Sequence, residues 1–216
     1  MTERSRYATP KLGRLREVIN IKTIYKVLIA AVIAVVTGGA IGFFTVNPIA
    51  KAVTSASNAT SGPWSVNYAY GSAAANPYVK AWVAETGLFA VTISTYFDAY
   101  TDDNGQPITG GCDYVIQGPA PTARYWNITV YNQDGFLIQN DQNRWSFSST
   151  DIKFEPDGSF KIYLSRTAKQ GNWLPTGNAK TLNVYFRLHN AGPDYLSANT
   201  LKSAGLPHIT KEGCQQ

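Results

Sequence analysis

The longest apolar segment of the chain covers residues 27–46 and contains twenty consecutive residues without a charge. At about 1.5 Å per residue, a helix of this length covers about 30 Å, which is the thickness of the hydrocarbon core of a bilayer. The sequence VLIAAVIAVVTGGAIGFFTV also lacks the polar stripe of a helix on the surface of a soluble protein. The pattern therefore predicts a single N-terminal transmembrane helix over residues 27–46.

Small residues recur at every fourth position of this segment, at Ala30, Ala34, Gly38 and Gly42. On a helix they form one stripe, and small side chains let two helices in a lipid bilayer approach closely. We interpret the stripe as a helix-packing surface. The alternative is that the spacing is the ordinary composition of an apolar segment.

Charge is distributed unevenly on the two sides of the apolar segment. Residues 1–26 carry seven Lys/Arg and two Asp/Glu, whereas residues 47–216 carry twelve of each kind. Because basic flanks stay on the cytoplasmic side, residues 1–26 are predicted to be a cytoplasmic tail and residues 47–216 to be periplasmic, anchored in a bacterial inner membrane. A neutral domain lacks the basic footprint of nucleic-acid binding, so the predicted partner is the lipid bilayer and no nucleic acid is expected.

A cleaved signal peptide is the alternative to a retained anchor. Ala50, Lys51 and Ala52 form an A-x-A cleavage pattern after the apolar segment. The apolar core of a signal peptide is usually about 7–15 residues long, and this one has twenty. The length therefore favours a retained, single-pass anchor.

Residues 47–62 are small and polar without periodicity, which predicts a flexible linker before a folded domain over residues 63–216. Early in that domain, Asn76 and Pro77 form a helix start and Gly87 a helix stop, so one short helix is predicted over residues 77–86.

One face of this short helix is predicted to cover the domain core. The residues of this face are spaced at helical intervals, and three of the four are apolar: Tyr78, Ala81, Trp82 and Glu85.

After Gly87 the hydrophobic period changes to two, which predicts strands. The turn pair Asn104-Gly105 predicts a hairpin that joins the first two of them, and Pro156-Asp157-Gly158 predicts a tight turn. Many short strands between Gly, Pro and Asn predict a mainly β domain, an antiparallel jelly-roll-like sandwich. The predicted strands are 89–101, 108–117, 125–131, 136–139, 144–148, 152–154, 159–165 and 182–189.

The chain has two cysteines, Cys112 and Cys214, and both fall in the portion that is predicted to be periplasmic. A disulfide between them is permitted in an oxidising compartment. Two unpaired thiols are the alternative that the sequence leaves open.

Motifs for metal, nucleotide or nucleophilic chemistry are missing from the sequence. Its two histidines, His189 and His208, lie outside ligand spacing of another His, Cys or carboxylate, so no metal site is predicted. Neither a G-x-S-x-G elbow nor a phosphate- or dinucleotide-binding loop occurs, so no cofactor is predicted. The sequence favours a binding protein over an enzyme and leaves catalysis open.

Two groups of residues are candidate binding sites. A two-residue turn at Asn104-Gly105 would bring Asp98 diagonally opposite Asp113, as in a paired-carboxylate site; the alternative is a solvated hairpin face. Trp173 lies in the loop-like segment GNWLPTGN, where it would form a sugar or partner surface with Asn172 and Arg144. The alternative for Trp173 is a structural wedge against the edge of a sheet.

Several segments together resemble the bacterial domain-of-unknown-function family 1214: YTDDNGQPITG, YWNITVYNQDGFLIQNDQNRWSF, DGSFKIYLS, GNWLP and GLPHITK. The similarity extends over most of residues 63–214. It implies a jelly-roll-like β-domain that occurs either fused to a domain of the related family 1254 or in short membrane-anchored proteins. The resemblance supplies neither a mechanism nor catalytic residues.

These observations lead to two hypotheses of function. The first is a periplasmic binding or assembly subunit of a cell-envelope complex, whose partner is a family 1254-type membrane protein or a second copy of the chain. The second is a periplasmic carbohydrate-active or small-ligand-binding protein.

Overall fold

The computed structural model describes residues 21–56, 58–90 and 92–214 of the chain. Internal contacts divide the chain into two units, residues 1–47 and residues 48–216. Most of the predicted cytoplasmic tail, residues 1–20, lies outside the described residues. The helices are α1 (Ile21–Ala56) and α2 (Pro77–Thr86), and the strands are β1 (Asn58–Ser61), β2 (Trp64–Asn67), β3 (Ser94–Ala99), β4 (Cys112–Pro119), β5 (Ala123–Asn132), β6 (Ser146–Ser148), β7 (Ser159–Ser165), β8 (Trp173–Pro175), β9 (Leu182–Ala191) and β10 (His208–Cys214).

Helix α1 contains the apolar segment. Within the described part of the chain, Ile21–Thr45 is the one stretch of helix that is long and apolar enough to cross a membrane. Its side chains are exposed, among them Val35 at 74% and Phe43 at 78%. Apolar surface of this extent is unfavourable in water and matches a lipid environment.

The linker predicted over residues 47–62 differs from the structure. Helix α1 continues through Pro48 to Ala56, and strand β1 pairs with β2 across the turn at Gly62 and Pro63. An internal proline removes one helical hydrogen bond, but the alanine-rich sequence that follows has high helix propensity. Small residues are common in flexible linkers, but alanine also favours helices, and here the helix forms.

Helix α2 begins and ends where the sequence predicts. The side chain of Asn76 accepts a hydrogen bond from the backbone N–H of Val79 at 3.0 Å, and Pro77 occupies the first turn. Gly87 ends the helix with a φ of +66°, a left-handed conformation that glycine adopts without a steric penalty.

The predicted buried face of α2 is wrong by about one residue. Val79 is buried and Val83 partly buried, whereas Tyr78, Ala81 and Glu85 are exposed. Trp82 belongs to both faces and is partly buried. Trp82 therefore belongs to two overlapping sets of residues with helical spacing. In the folded domain, the more buried set is the one that contains Val79 and Val83.

The described strands form two sheets, and this confirms the predicted mainly β sandwich. The large sheet has the order β1-β2-β3-β9-β5-β6 and is antiparallel throughout. The small sheet has the order β10-β4-β7-β8, and its β7–β8 pair is parallel. Trp126 of the large sheet packs on Phe160 of the small sheet with ring centroids 4.8 Å apart, and it also contacts Phe186.

The predicted hairpin between strands 89–101 and 108–117 is wrong, because β3 lies in the large sheet and β4 in the small one. A turn does form at Asn104-Gly105, with a bridge between Thr101 and Pro107. The chain then crosses between sheets past Gly110, where a Cβ would collide with the backbone oxygen of Ala179. A correctly predicted turn thus leads into a crossover instead of a long hairpin.

Other strand predictions are correct in part. The predicted strand 159–165 coincides with β7, whereas 136–139 and 152–154 contribute single bridges at Leu137 and Phe154. The predicted loop around Trp173 contains strand β8. Short strands of three or four residues carry too little alternation to be recognised from the sequence.

Cys112 and Cys214 form a disulfide, which resolves the alternative that the sequence left open. The bond joins the first residue of β4 to the last residue of β10, 102 positions apart. At the other end of β10, Asp103 accepts a hydrogen bond from Ile209 and contacts His208 at 2.9 Å. The disulfide therefore fastens an edge strand that pairs with one neighbouring strand, β4.

Replacing Cys112→Ala together with Cys214→Ala should lower the free energy of unfolding by about 2–4 kcal/mol, because the open chain has more conformational freedom when unfolded. Urea unfolding of the full-length protein in detergent measures this difference. Mass analysis of the non-reduced wild-type protein is the control, and two free thiols in it would contradict the disulfide.

Candidate functional site

Three of the predicted site residues, Arg144, Asn172 and Trp173, do lie together. They line a shallow cavity of about 370 Å³ at one end of the small sheet. The structure thus brings together residues that are up to 29 positions apart in the sequence.

The polar groups of this cavity already bind other parts of the protein. Asn172 is 4% exposed, donates to the backbone carbonyls of Lys153 and Lys161, and accepts from the N–H of Lys153. The indole of Trp173 donates to the carbonyl of Ser165 at 2.9 Å. Hydrogen bonds of this kind fix loops onto the sheet, and they leave these two side chains little capacity for a ligand.

Arg144 is similarly engaged. Its guanidinium forms an ion pair with Asp151 at 2.9 Å and lies 4.6 Å from the centre of the Phe147 ring. The wedge interpretation of the Trp173 loop therefore explains the contacts of this cavity better than a binding surface does.

Asp98 and Asp113 lie in different sheets and form no shared site. Asp113 forms an ion pair with Lys169 at 2.8 Å on the small sheet. The hydrogen bond with Asp113 raises the pKa of the Lys169 ammonium group. The paired-carboxylate prediction is wrong, because it depended on a hairpin that the crossover at Gly110 prevents.

Asp98 instead lies in a cavity of about 550 Å³ that we call the Asp98 pocket. The cavity lies on the outer face of the large sheet, the face that is turned away from the core. Aromatic rings supply much of its lining, from Tyr70, Trp82, Tyr96, Tyr100 and Tyr185.

The alternation of two neighbouring strands builds the floor of the Asp98 pocket. In β3, Phe97 and Ala99 point into the core, so Tyr96 and Asp98 point outward. In β9, Val184 and Phe186 are buried, so Tyr185 and Arg187 point outward. Pairing places Asp98 beside Tyr185 and Tyr96 beside Arg187, while Trp82 of α2 contributes to the wall.

The carboxyl group of Asp98 is unusual among the acids of this domain. Burial raises its pKa to about 6, because a charged carboxylate is less stable away from water. Within the described ranges it has neither a hydrogen-bond nor an ion-pair partner. The pKa of Tyr70 is also raised, first by burial and then by the negative charge of Asp98.

The hydroxyl groups around Asp98 are engaged with one another or with the backbone. Tyr100 and Tyr185 share a hydrogen bond of 3.3 Å, and the Tyr96 hydroxyl accepts from the N–H of Phe89. Burial, the bond with Tyr185 and the charge of Asp98 all raise the pKa of Tyr100. Tyr100 therefore remains a neutral phenol near pH 7.

Arg187 is held at the edge of the Asp98 pocket by aromatic neighbours. Its guanidinium donates to the hydroxyl of Tyr131 at 3.0 Å and lies 5.6 Å and 5.3 Å from the ring centres of Tyr131 and Tyr185. No ion pair links it to Asp98 among the residues that the structure describes. The guanidinium group of Arg187 thus interacts with tyrosine side chains.

A second acceptor without a donor also lines the Asp98 pocket. The Asn58 side chain donates to Ser65 at 2.8 Å, but its Oδ1 is buried without a hydrogen-bond partner in the described part of the chain. Tyr68 Oη is the other such buried atom, and it is not part of the pocket lining. Buried acceptors in folded proteins normally have a donor, and the Oδ1 of Asn58 is an exception beside the Asp98 pocket.

A larger but more open groove, of about 920 Å³, follows the outer face of the small sheet. Its lining includes Gln117, Lys161, Tyr163, Thr210 and Glu212, none of which carries an unpaired buried atom among the described residues. Size alone therefore does not make this groove the better candidate.

Sequence reasoning identified Asp98 but missed its surroundings. The sequence did contain a signal of the pocket, because alternate positions in two distant segments are aromatic or charged. These positions are Tyr96, Asp98 and Tyr100 in one segment and Tyr185 and Arg187 in the other. Recognising it requires knowing that β3 and β9 are neighbours, and they are separated by more than eighty positions.

Across residues 21–56, 58–90 and 92–214, no group of three or more His, Cys, Asp or Glu is placed to hold a metal ion.

Two solved structures match this chain, and one of them has a TM-score above 0.5. The VPA0106 protein from Vibrio parahaemolyticus matches with a TM-score of 0.57 and 21% identity, over 90% of this chain and 46% of the other. This chain thus spans about half the length of that protein. A putative uncharacterized protein from Burkholderia cenocepacia matches with a TM-score of 0.39 and 21% identity, over 55% of this chain and 29% of the other.

No curated protein matches this sequence. Residues 93–193 match a family that is described as "Protein of unknown function (DUF1214)". The matched region extends from the start of β3 to the turn after β9, so it contains the two strands that form the floor of the Asp98 pocket. This match supports the resemblance to the DUF1214 family that the sequence motifs indicated.

Proposed function

We propose that this protein is a membrane-anchored binding protein whose β-sandwich holds a small ligand in the Asp98 pocket. The single observation that supports it most is a partly buried carboxylate without a partner among the described residues, inside an aromatic cavity of about 550 Å³. A concave site with aromatic walls and a few polar groups is typical of small-molecule binding. This favours the ligand-binding hypothesis over a purely structural assembly role.

The proposal is one of binding, because the described lining of the Asp98 pocket has one carboxylate and no His, Cys or Lys. Cys and Lys nucleophiles, and a Ser or Thr activated by a His, are therefore missing from this lining. The polar groups present can orient and hold a ligand.

The proposed location of the β-sandwich is the periplasm, with α1 as a single-pass anchor in the inner membrane. The apolar stretch Ile21–Thr45 and the disulfide between Cys112 and Cys214 support it, since disulfides persist in oxidising compartments. The basic tail supports a cytoplasmic N-terminus.

Native mass spectrometry of the full-length protein, extracted from its own membrane in mild detergent, tests the ligand-binding proposal. We expect a small-molecule mass on the wild-type protein that is reduced at least tenfold in Asp98→Asn, because the pocket then loses its charged acceptor. Asp113→Asn is the matched control, since this aspartate lies on the other sheet. An equal loss in both variants, or none in Asp98→Asn, would contradict the proposal.

A second proposal concerns association through α1. The small residues Ala30, Ala34, Gly38 and Gly42 lie on the helix, and a Cβ added at Gly38 or Gly42 would meet no other atom within 4 Å. A second helix, from another copy of this chain or from a family 1254-type membrane protein, could pack closely on such a stripe. This association would place the β-sandwich in a larger envelope assembly.

Changing Gly38→Ile together with Gly42→Ile should reduce cross-linking through α1 in membranes at least severalfold, because the larger side chains keep helices apart. Gly39→Ile, on a different face, is the control. Cross-linking that is unchanged in the double variant would show that the stripe is ordinary composition.

A further inference from the structure

We propose that the ligand of the Asp98 pocket is an organic ammonium ion, a protonated primary or secondary amine held between the Asp98 carboxylate and the surrounding aromatic rings. This inference rests on the proposed function and adds the chemical class of the ligand. Three properties of the pocket support it: its charge, its hydrogen-bond acceptors and its rings.

The carboxylate of Asp98 favours a cation beside it. It has no ion pair among the described residues, because the guanidinium of Arg187, which also lines the pocket, is bound to Tyr131 and lies over tyrosine rings. A partly buried carboxylate is costly unless a positive charge compensates it. A cationic ligand supplies that compensation, whereas an anionic ligand would add a second negative charge.

The acceptors of the pocket select for a cation that carries N–H groups. The Asp98 carboxylate and the Oδ1 of Asn58 both lack donors within the described structure. A primary or secondary ammonium can donate to the Asp98 carboxylate, and charge-assisted hydrogen bonds are the stronger kind. A quaternary ammonium has no N–H to donate, and it would leave this carboxylate without a hydrogen-bond donor.

The aromatic rings favour the same class of ligand. Tyr70, Trp82, Tyr96, Tyr100 and Tyr185 line one cavity with Asp98. The face of an aromatic ring attracts a cation, and Trp and Tyr are effective partners. A bare metal ion would use few of these rings in a space of about 550 Å³, so an organic cation fits the cavity better.

Binding of such a cation should depend on pH through Asp98. The other titratable or charged groups that line the pocket are Tyr96 from β3, Tyr100 directly after it, Tyr185 and Arg187 from β9, and Tyr70; α2 contributes Trp82 and Thr86, which do not titrate. Phenols and guanidinium groups keep their charge state between pH 5 and 8. Protonation of Asp98, whose pKa burial raises to about 6, therefore removes the charge that binds the cation as the pH falls.

A series of matched probes tests this inference on the full-length protein in detergent. Benzylammonium, benzyltrimethylammonium, benzyl alcohol and benzoate share one ring and differ in charge and N–H donors. Isothermal titration calorimetry at pH 7.5 should give the tightest binding for benzylammonium, with the other three at least tenfold weaker. Its affinity should fall about tenfold per pH unit below pH 6, because one proton displaces the cation.

Two variants and one control connect the result to the pocket. Asp98→Asn should weaken benzylammonium binding at least tenfold and remove the pH dependence, while Asp113→Asn should bind as the wild type does. If Asp98→Asn fails to fold, Trp82→Leu in helix α2 should still weaken benzylammonium binding severalfold. The pH dependence of benzylammonium binding to the wild type then still tests the role of Asp98.

Two kinds of result would overturn the inference. Benzyl alcohol or benzoate that binds as tightly as benzylammonium, with sensitivity to Trp82→Leu, would refute the ammonium class and leave the ligand-binding proposal intact. Absence of binding by every probe, together with no co-purified small molecule in native mass spectrometry, would refute both.

Discussion

The structure depends on the packing of two sheets around one apolar core. Trp126, Phe160 and Phe186 meet at its centre, and the inward positions of β3 and β9 are buried there. Because strand side chains alternate, burying one set forces the other set onto the outer face. The residues that form the Asp98 pocket are therefore held by the same constraint that builds the core.

Burial of Asp98 has an energetic consequence for the folded domain. Its pKa is raised from 3.8 to about 6, so the folded state favours the protonated form. The associated stability is fully present below about pH 3.8 and is lost as the pH rises through 6, where the carboxylate becomes charged. A group that destabilises the domain near pH 7 is understandable if a ligand compensates its charge, as often occurs at binding sites.

The sequence predicted those parts of the fold that depend on local patterns. Helix α2 with its cap at Asn76, strand β7 and the turn at Gly158 were all recognised from neighbouring residues. The pairing of β3 with β9 and the crossover at Gly110 depend on contacts between distant residues, which local patterns do not reveal. For this reason Asp98 was recognised as a candidate, whereas its aromatic neighbours and its true sheet partners were not.

The most direct test of this account is the pKa of the Asp98 carboxyl group, measured by carbon-detected NMR on the full-length protein with labelled aspartate, assigned with Asp98→Asn. In ligand-free protein the account expects a value of about 6, because the carboxylate is shielded from water and has no partner among the described residues. A value near 4 in ligand-free protein would show that the group is solvated or paired within the protein, and it would contradict the Asp98 pocket as a binding site.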